Sequence, residues 1–275
     1  MTTPTWETLT PSQSFNSGFT GIVDYNTTTG NLLVRGNLPL YPDMNPPPPP
    51  APPYYFAYTE LSSAIASLLQ QQPASSVVPA SVAQNFELSN YQLLVISLLN
   101  NKTTDSIDLQ IEVGAFGGTF SNLPTTWPTY DPPTSPAWVP TTIVGSGPLQ
   151  IGTPTPQSGC QLVWWPFDSQ YNELSSGFQF DGLVTYANAQ LATQAPSGSA
   201  GTVIYVHCDS GVNRTGTFTT AYLLQYGSSL YTSADTSTLS NALNTAGTMP
   251  QGLLPDSDFF PMLVGYSLLF QASYQ

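Results

Sequence analysis

The chain is 275 residues long and 40% apolar, enough to bury a sizeable core in one large domain or two small ones. Only 7% of it is charged, against about 25% in an average globular chain. Three Lys and Arg against sixteen Asp and Glu leave a net charge of −13, which excludes a basic stripe for nucleic acid and disfavours stable docking on anionic lipid.

Two cysteines, Cys160 and Cys208, do not make a disulfide framework. One histidine and no cluster with ligand spacing give no reason to expect a metal or another cofactor. The N-terminus, MTTPTWETLTPSQSFNSGF, lacks a basic n-region and an apolar h-region. No apolar run reaches the roughly 18 residues of a membrane span. The expectation is a soluble protein, cytoplasmic or exported without a recognisable signal peptide.

In chain order, residues 21–25 and 31–35 read as two strands around a turn ending in Gly30. Residues 42–53, PDMNPPPPPAPP, suit polyproline II and neither helix nor central strand, since proline fixes φ and lacks an N–H. The run at 46–53 is either a stiff surface connection or a ligand for a proline-binding groove. Leu61, Ile65, Leu68 and Leu69 mark one face of a helix over 58–72. Residues 73–92 read as loop, and 92–99 as an apolar strand. Residues 115–160, rich in Pro and Thr, read as an irregular insertion with one or two short strands, packed on the body by Trp127 and Trp138. A strand follows at 161–165, and a helix over 183–193 with Asp181 as its N-cap. Beyond residue 226, Leu239 and Leu243 mark a polar helix and residues 261–274 a buried one.

The stretch VIYVHCDSGVNRTGTF, Val203 to Phe218, carries the chemistry. Val203-Ile204-Tyr205-Val206 is a short buried strand, and 217–226 a helix. Between them lie His207, Cys208 and the turn Asp209-Ser210-Gly211-Val212-Asn213, then Arg214-Thr215. A helix N-terminus presents unpaired N–H groups and positive dipole potential. A tight loop entering it can curl further N–H groups into an anion nest, and Arg214 adds a fork of donors matched to phosphate oxygens. A cysteine in such surroundings has its thiolate stabilised, with a pKa lowered from about 8.5 to roughly 3.5–7.5. A thiolate facing a bound phosphoryl group is a nucleophile already in line.

HCDSGVNRTG resembles the His-Cys-x5-Arg-Ser/Thr signature of the cysteine-based protein tyrosine phosphatase superfamily, at His207, Cys208, Arg214 and Thr215, with glycine at Gly211 and Gly216. The segment NLLVRGNLP, 31–39, is similar to the opening element of small dual-specificity phosphatases, with Arg35 as a structural pin. The resemblance implies an α/β fold: a central mixed sheet flanked by helices, here a single phosphatase-like domain over 1–275. It implies Cys208 as nucleophile, and residues 209–213 with Arg214 as the phosphate cradle. Thr215 would donate to the sulfur as it leaves. Trp165-Pro166-Phe167-Asp168 is similar to the family's general-acid loop, with one extra residue, so Asp168 is the candidate acid and Asp181 its competitor. Gln251 is a minor candidate for orienting the hydrolytic water.

The substrate expectation is a phosphomonoester with little extra charge, foremost protein phosphotyrosine, with dual specificity open. Asp209 puts a negative charge into the loop, where phosphoinositide- and inositol-phosphate-directed relatives carry Lys or Arg. Those substrates, or a catalytically dormant module that binds phosphorylated ligands, are the alternatives. Cys160 is expected to be inert and buried, with a redox disulfide to Cys208 as the other possibility.

Overall fold

The computed structural model describes residues 11–42, 54–99, 103–118, 141–144, 149, 159–165, 177–249, 255 and 263–264. The elements are β1 (Gly21–Tyr25), β2 (Leu32–Gly36), β3 (Leu40–Pro42), β4 (Tyr54–Phe56), α1 (Tyr58–Leu69), α2 (Ala74–Val77), α3 (Ala80–Gln84), β5 (Gln92–Ser97), α4 (Thr103–Ala115), β6 (Thr141–Val144), β7 (Cys160–Trp164), α5 (Gly177–Ala192), β8 (Thr202–His207), α6 (Asn213–Tyr226) and α7 (Leu239–Thr248).

Six strands form one mixed sheet in the order β1-β2-β8-β5-β7-β6. The inner strands β2, β8, β5 and β7 are parallel, and β1 and β6 close the edges antiparallel. Helices cover both faces, so the inner strands are apolar almost throughout rather than alternating with polar residues. Along β8, Val203 and Tyr205 belong to one core, with α1 and Phe116, while Ile204 and Val206 belong to the other, with α5, α6 and α7. This is the α/β architecture with a mixed sheet flanked by helices that the sequence led us to expect.

Register places the chemistry. Gly36, Ser97 and His207 are level with one another, and Trp164 is level with Ser97. Cys208 therefore leaves the sheet at the carboxyl edge of four parallel strands, where open α/β sheets bind their ligands.

Several elements differ from the sequence reading. The stretch 73–92 holds α2, α3 and a 3-10 turn at Leu88–Asn90. A two-stranded ribbon, β3 with β4, brackets the proline run, whose residues 43–53 lie outside the described ones, as do Trp127 and Trp138. The expected insertion contributes β6 at the sheet edge. Helix α5 begins at Gly177, so Asp181 lies inside it and is not its N-cap. Helix α4 was not anticipated. Residues 251 and 265–275 are outside the described range. Among the described residues, no helix is long and apolar enough to cross a membrane.

The two cysteines cannot meet in this fold. Cys160 and Val203 are both level with Leu93, five residues before Cys208 on β8. At about 3.3 Å per residue the offset along the strands alone is roughly 16 Å, against the 4.4–6.8 Å Cα separation of a disulfide. They also belong to opposite cores. Burial pushes the Cys160 thiol up to about 12, as expected of an inert core residue.

Candidate active site

The turn 208–212 joins the end of β8 to the start of α6, and its carbonyls are held from outside. Leu98 N–H donates to the His207 carbonyl (2.8 Å) and Leu38 N–H to that of Asp209 (2.9 Å). Arg35 Nη2 donates to the Gly211 carbonyl at 2.6 Å. His207 Nδ1 lies 3.1 Å from the Cys208 carbonyl. A trans peptide points its C=O and N–H in opposite directions. Tying the carbonyls of 208, 209 and 211 outward therefore turns the N–H groups of 209, 210 and 212 toward the inside of the loop. Among the described residues the N–H of Val212 otherwise meets only Ser210 Oγ, at 3.5 Å.

Two glycines make the turn possible. Gly211 sits at φ +74°, and a Cβ there would lie 2.8 Å from the carbonyl of Gly36. A Cβ on Gly36 would overlap the hydroxyl of Tyr205, which donates to the Asn37 carbonyl at 2.7 Å. The segment 36–38 thus presses directly against the turn. At the start of α6, Val212 makes no side-chain cap, which leaves the first-turn N–H groups to face an anion.

Cys208 is 1% exposed, and both arginines of the chain converge on it. Arg35 is completely buried. Burial lowers its pKa to about 10, with the charge of Cys208 pulling it back up, so it remains a cation at neutral pH. Arg214 is held above its ordinary value: burial pulls it down, but Cys208 and Asp105 outweigh that. Both guanidiniums thus interact with Cys208 through charge.

Arg214 is aimed by Asp105. Nη1 and Nη2 donate to the two carboxylate oxygens, the Nη2 bond being 3.2 Å, and Nη1 also donates to the Leu98 carbonyl at 3.0 Å. These bonds use three of the five guanidinium N–H groups. The Nε–H and one Nη2–H are left on the same edge, a bidentate fork for an oxyanion.

Helix α4 is the element that sequence reasoning missed. Asp105, Asp108 and Glu112, spaced i, i+3, i+7, share one helix face, and each meets a different part of the loop region. Asp105 takes Arg214. Asp108 accepts from the N–H and hydroxyl of Ser12 (2.7 and 2.6 Å), and the same hydroxyl is 2.9 Å from Asp209. Glu112 takes His207 Nε2 at 2.7 Å. Burial pushes the Asp108 carboxyl up to about 6, against the Ser12 hydrogen bonds, with Asp209 and Asp105 adding to the rise. The signal available in the sequence was three carboxylates on one helical face, directly after an apolar strand, in a chain poor in charge.

Of the expected site residues, His207 through Thr215 form one contiguous loop and helix start. Asp209, Ser210, Val212 and Asn213 are half-buried, and Gly211 is buried. The Thr215 hydroxyl makes a long 3.5 Å contact with the Gly36 carbonyl. Asp168 and Gln251 lie outside the described residues. Trp165, three residues before Asp168, donates its N–H to the Ser97 carbonyl at 2.8 Å, at the same sheet edge as Cys208. Arg35 bonds the turn, as the pin reading expected. No protein-family model matches this chain, and no curated protein matches it significantly.

Proposed function

We propose that this chain is a cysteine-dependent phosphatase of the protein tyrosine phosphatase type, hydrolysing phosphomonoesters through a phosphocysteine. The observation that carries the reading is the convergence of both arginines and the only histidine on one buried cysteine, in a strand-to-helix turn whose carbonyls are tied outward. A structural cysteine needs none of these.

In the first step the Cys208 thiolate attacks phosphorus. The P–O bond to the leaving group breaks, and Asp168 gives its proton to the departing oxygen. The inward N–H groups and the Nε/Nη2 edge of Arg214 hold the equatorial oxygens as charge builds. In the second step Asp168, now a carboxylate, takes a proton from water as the water attacks the phosphocysteine. The S–P bond breaks and inorganic phosphate leaves with the thiolate restored.

Substrate class follows from charge. Among the described residues both arginines are committed to the loop, while Asp105, Asp108 and Asp209 surround it. Among the described residues a polyphosphorylated headgroup finds no further cation, whereas one aryl monoester dianion suits the nest. Protein phosphotyrosine is the substrate that fits best.

The test is metal-free hydrolysis of a small aryl phosphate across pH by wild type, Cys208→Ser and Asp168→Ala. Turnover lost in Cys208→Ser, with the basic limb lost in Asp168→Ala, supports the assignment. A folded wild type that binds phosphate or tungstate without turnover makes the protein a binding module instead.

A further inference from the structure

His207 sits fully buried between two acceptors. Its Nδ1 is 3.1 Å from the Cys208 carbonyl, and its Nε2 is 2.7 Å from Glu112 Oε1. A carbonyl oxygen can only accept, so Nδ1 must carry a proton. A neutral imidazole has one N–H. With Nδ1 protonated, Nε2 would then turn a lone pair toward a carboxylate at 2.7 Å, which is repulsive. One further proton therefore lies between Nε2 and Oε1. It makes either an imidazolium with a carboxylate or an imidazole with a carboxylic acid. Both placements are neutral overall, and both keep Nδ1–H on Cys208.

We propose that Glu112 is a positioning residue that holds this second proton and so locks His207 as an Nδ1–H donor to the Cys208 carbonyl. Its catalytic meaning rests on the phosphatase reading. The lock keeps the Cys208 carbonyl out of the nest, so the following N–H stays turned inward, toward the sulfur and the phosphoryl oxygens. Glu112 is completely buried, and its Oε2 has no hydrogen-bond partner among the described residues. Such a group is costly to keep in a core. A partner that only accepts from His207 would not hold Nδ1–H in place; a group that supplies a proton at Nε2 does.

The other ionisable groups around His207 do not supply that proton. Tyr205 of β8 stacks on the ring with centroids 5.7 Å apart, and its hydroxyl is spent on Asn37. Cys208 is the group being tuned. Arg35 of β2 bonds Gly211, and Arg214 of α6 bonds Asp105 and Leu98.

His207 is the only histidine of the chain, so its imidazole 15N signals in the untagged protein need no assignment by mutation. The proposal expects Nδ1 to carry a proton throughout pH 6–8. A bare Nδ1 in that range overturns it. The second arm titrates Cys208 by the pH dependence of its iodoacetamide alkylation, in a Cys160→Ser background. In a folded Glu112→Leu variant the midpoint rises by about one pH unit. In Glu112→Gln it stays near wild type, because the carboxamide N–H can donate to Nε2 and leave Nδ1–H in place. An unmoved midpoint in folded Glu112→Leu also overturns the proposal. Should that variant fail to fold, the wild-type spectrum still decides. Neither readout uses turnover, so a protein without phosphatase activity leaves this test intact.

Discussion

Arg214 and Asp105 face each other fork to fork, each side chain only 9% exposed, and this pairing leaves the Nε–H and one Nη2–H of the guanidinium for an oxyanion. Removing the charge in Asp105→Asn frees the fork to rotate. We expect kcat/KM for an aryl phosphate to fall roughly tenfold to a hundredfold, about 1.4–2.7 kcal/mol, with phosphate or vanadate affinity falling in step. Asp105→Ala also strands a buried cation and should lower stability by on the order of 3 kcal/mol, read by denaturant unfolding. Unchanged oxyanion affinity in Asp105→Asn would mean that Arg214 is aimed by the helix alone.

Gly211 is held in the left-handed region, with the Gly36 backbone where a Cβ would go. Gly211→Ala should cost about 1–3 kcal/mol of stability and a larger share of activity, because the segment 36–38 braces the turn 208–212, whose N–H groups form the nest. Thermal unfolding and phosphate binding on the same sample check both.

The Asp108 carboxyl, raised to about 6 from an ordinary 3.8, gives stability a definite pH slope. Between those values the folded state holds a proton that the unfolded state has lost. Stability therefore falls as pH rises from about 4 to 6, by on the order of 3 kcal/mol from this group. Asp108→Asn should flatten that slope, leaving the variant relatively more stable at pH 7 than at pH 4.5. A slope identical to wild type would place the proton elsewhere.

The separation of Cys160 and Cys208 predicts that peroxide oxidises Cys208 without forming an intramolecular disulfide. Intact mass after blocking free thiols should show oxygen added and no loss of two hydrogens. Cys160→Ser should leave the course of inactivation unchanged.

The strand, turn and helix around Cys208 were legible in the sequence because each is specified locally: a β-branched run, a glycine that must take positive φ, and a helix read from Thr217, which in the structure opens four residues earlier at Asn213. The parallel inner strands were legible as continuous apolar runs. Helix α4 was not, since its mean hydropathy is modest and its useful face is acidic. Asp105, Asp108 and Glu112 acquire meaning only when the sheet brings α4 beside the loop, a relation between residues about a hundred positions apart. Ser12 joining Asp108 to Asp209 is of the same kind. Asp181 misled because an Asp before an apolar run suits an N-cap, whereas the helix extends a turn further back to Gly177.

Whether Cys208 carries the phosphoryl group is decided by acid-quenched rapid mixing of the protein with an aryl phosphate. The account predicts a transient of +80 Da, roughly the mass of one phosphoryl group, mapped to the peptide containing Cys208 and absent in Cys208→Ser. Phosphate released at a full wild-type rate by Cys208→Ser, or a phosphoryl adduct on any other residue, would contradict it.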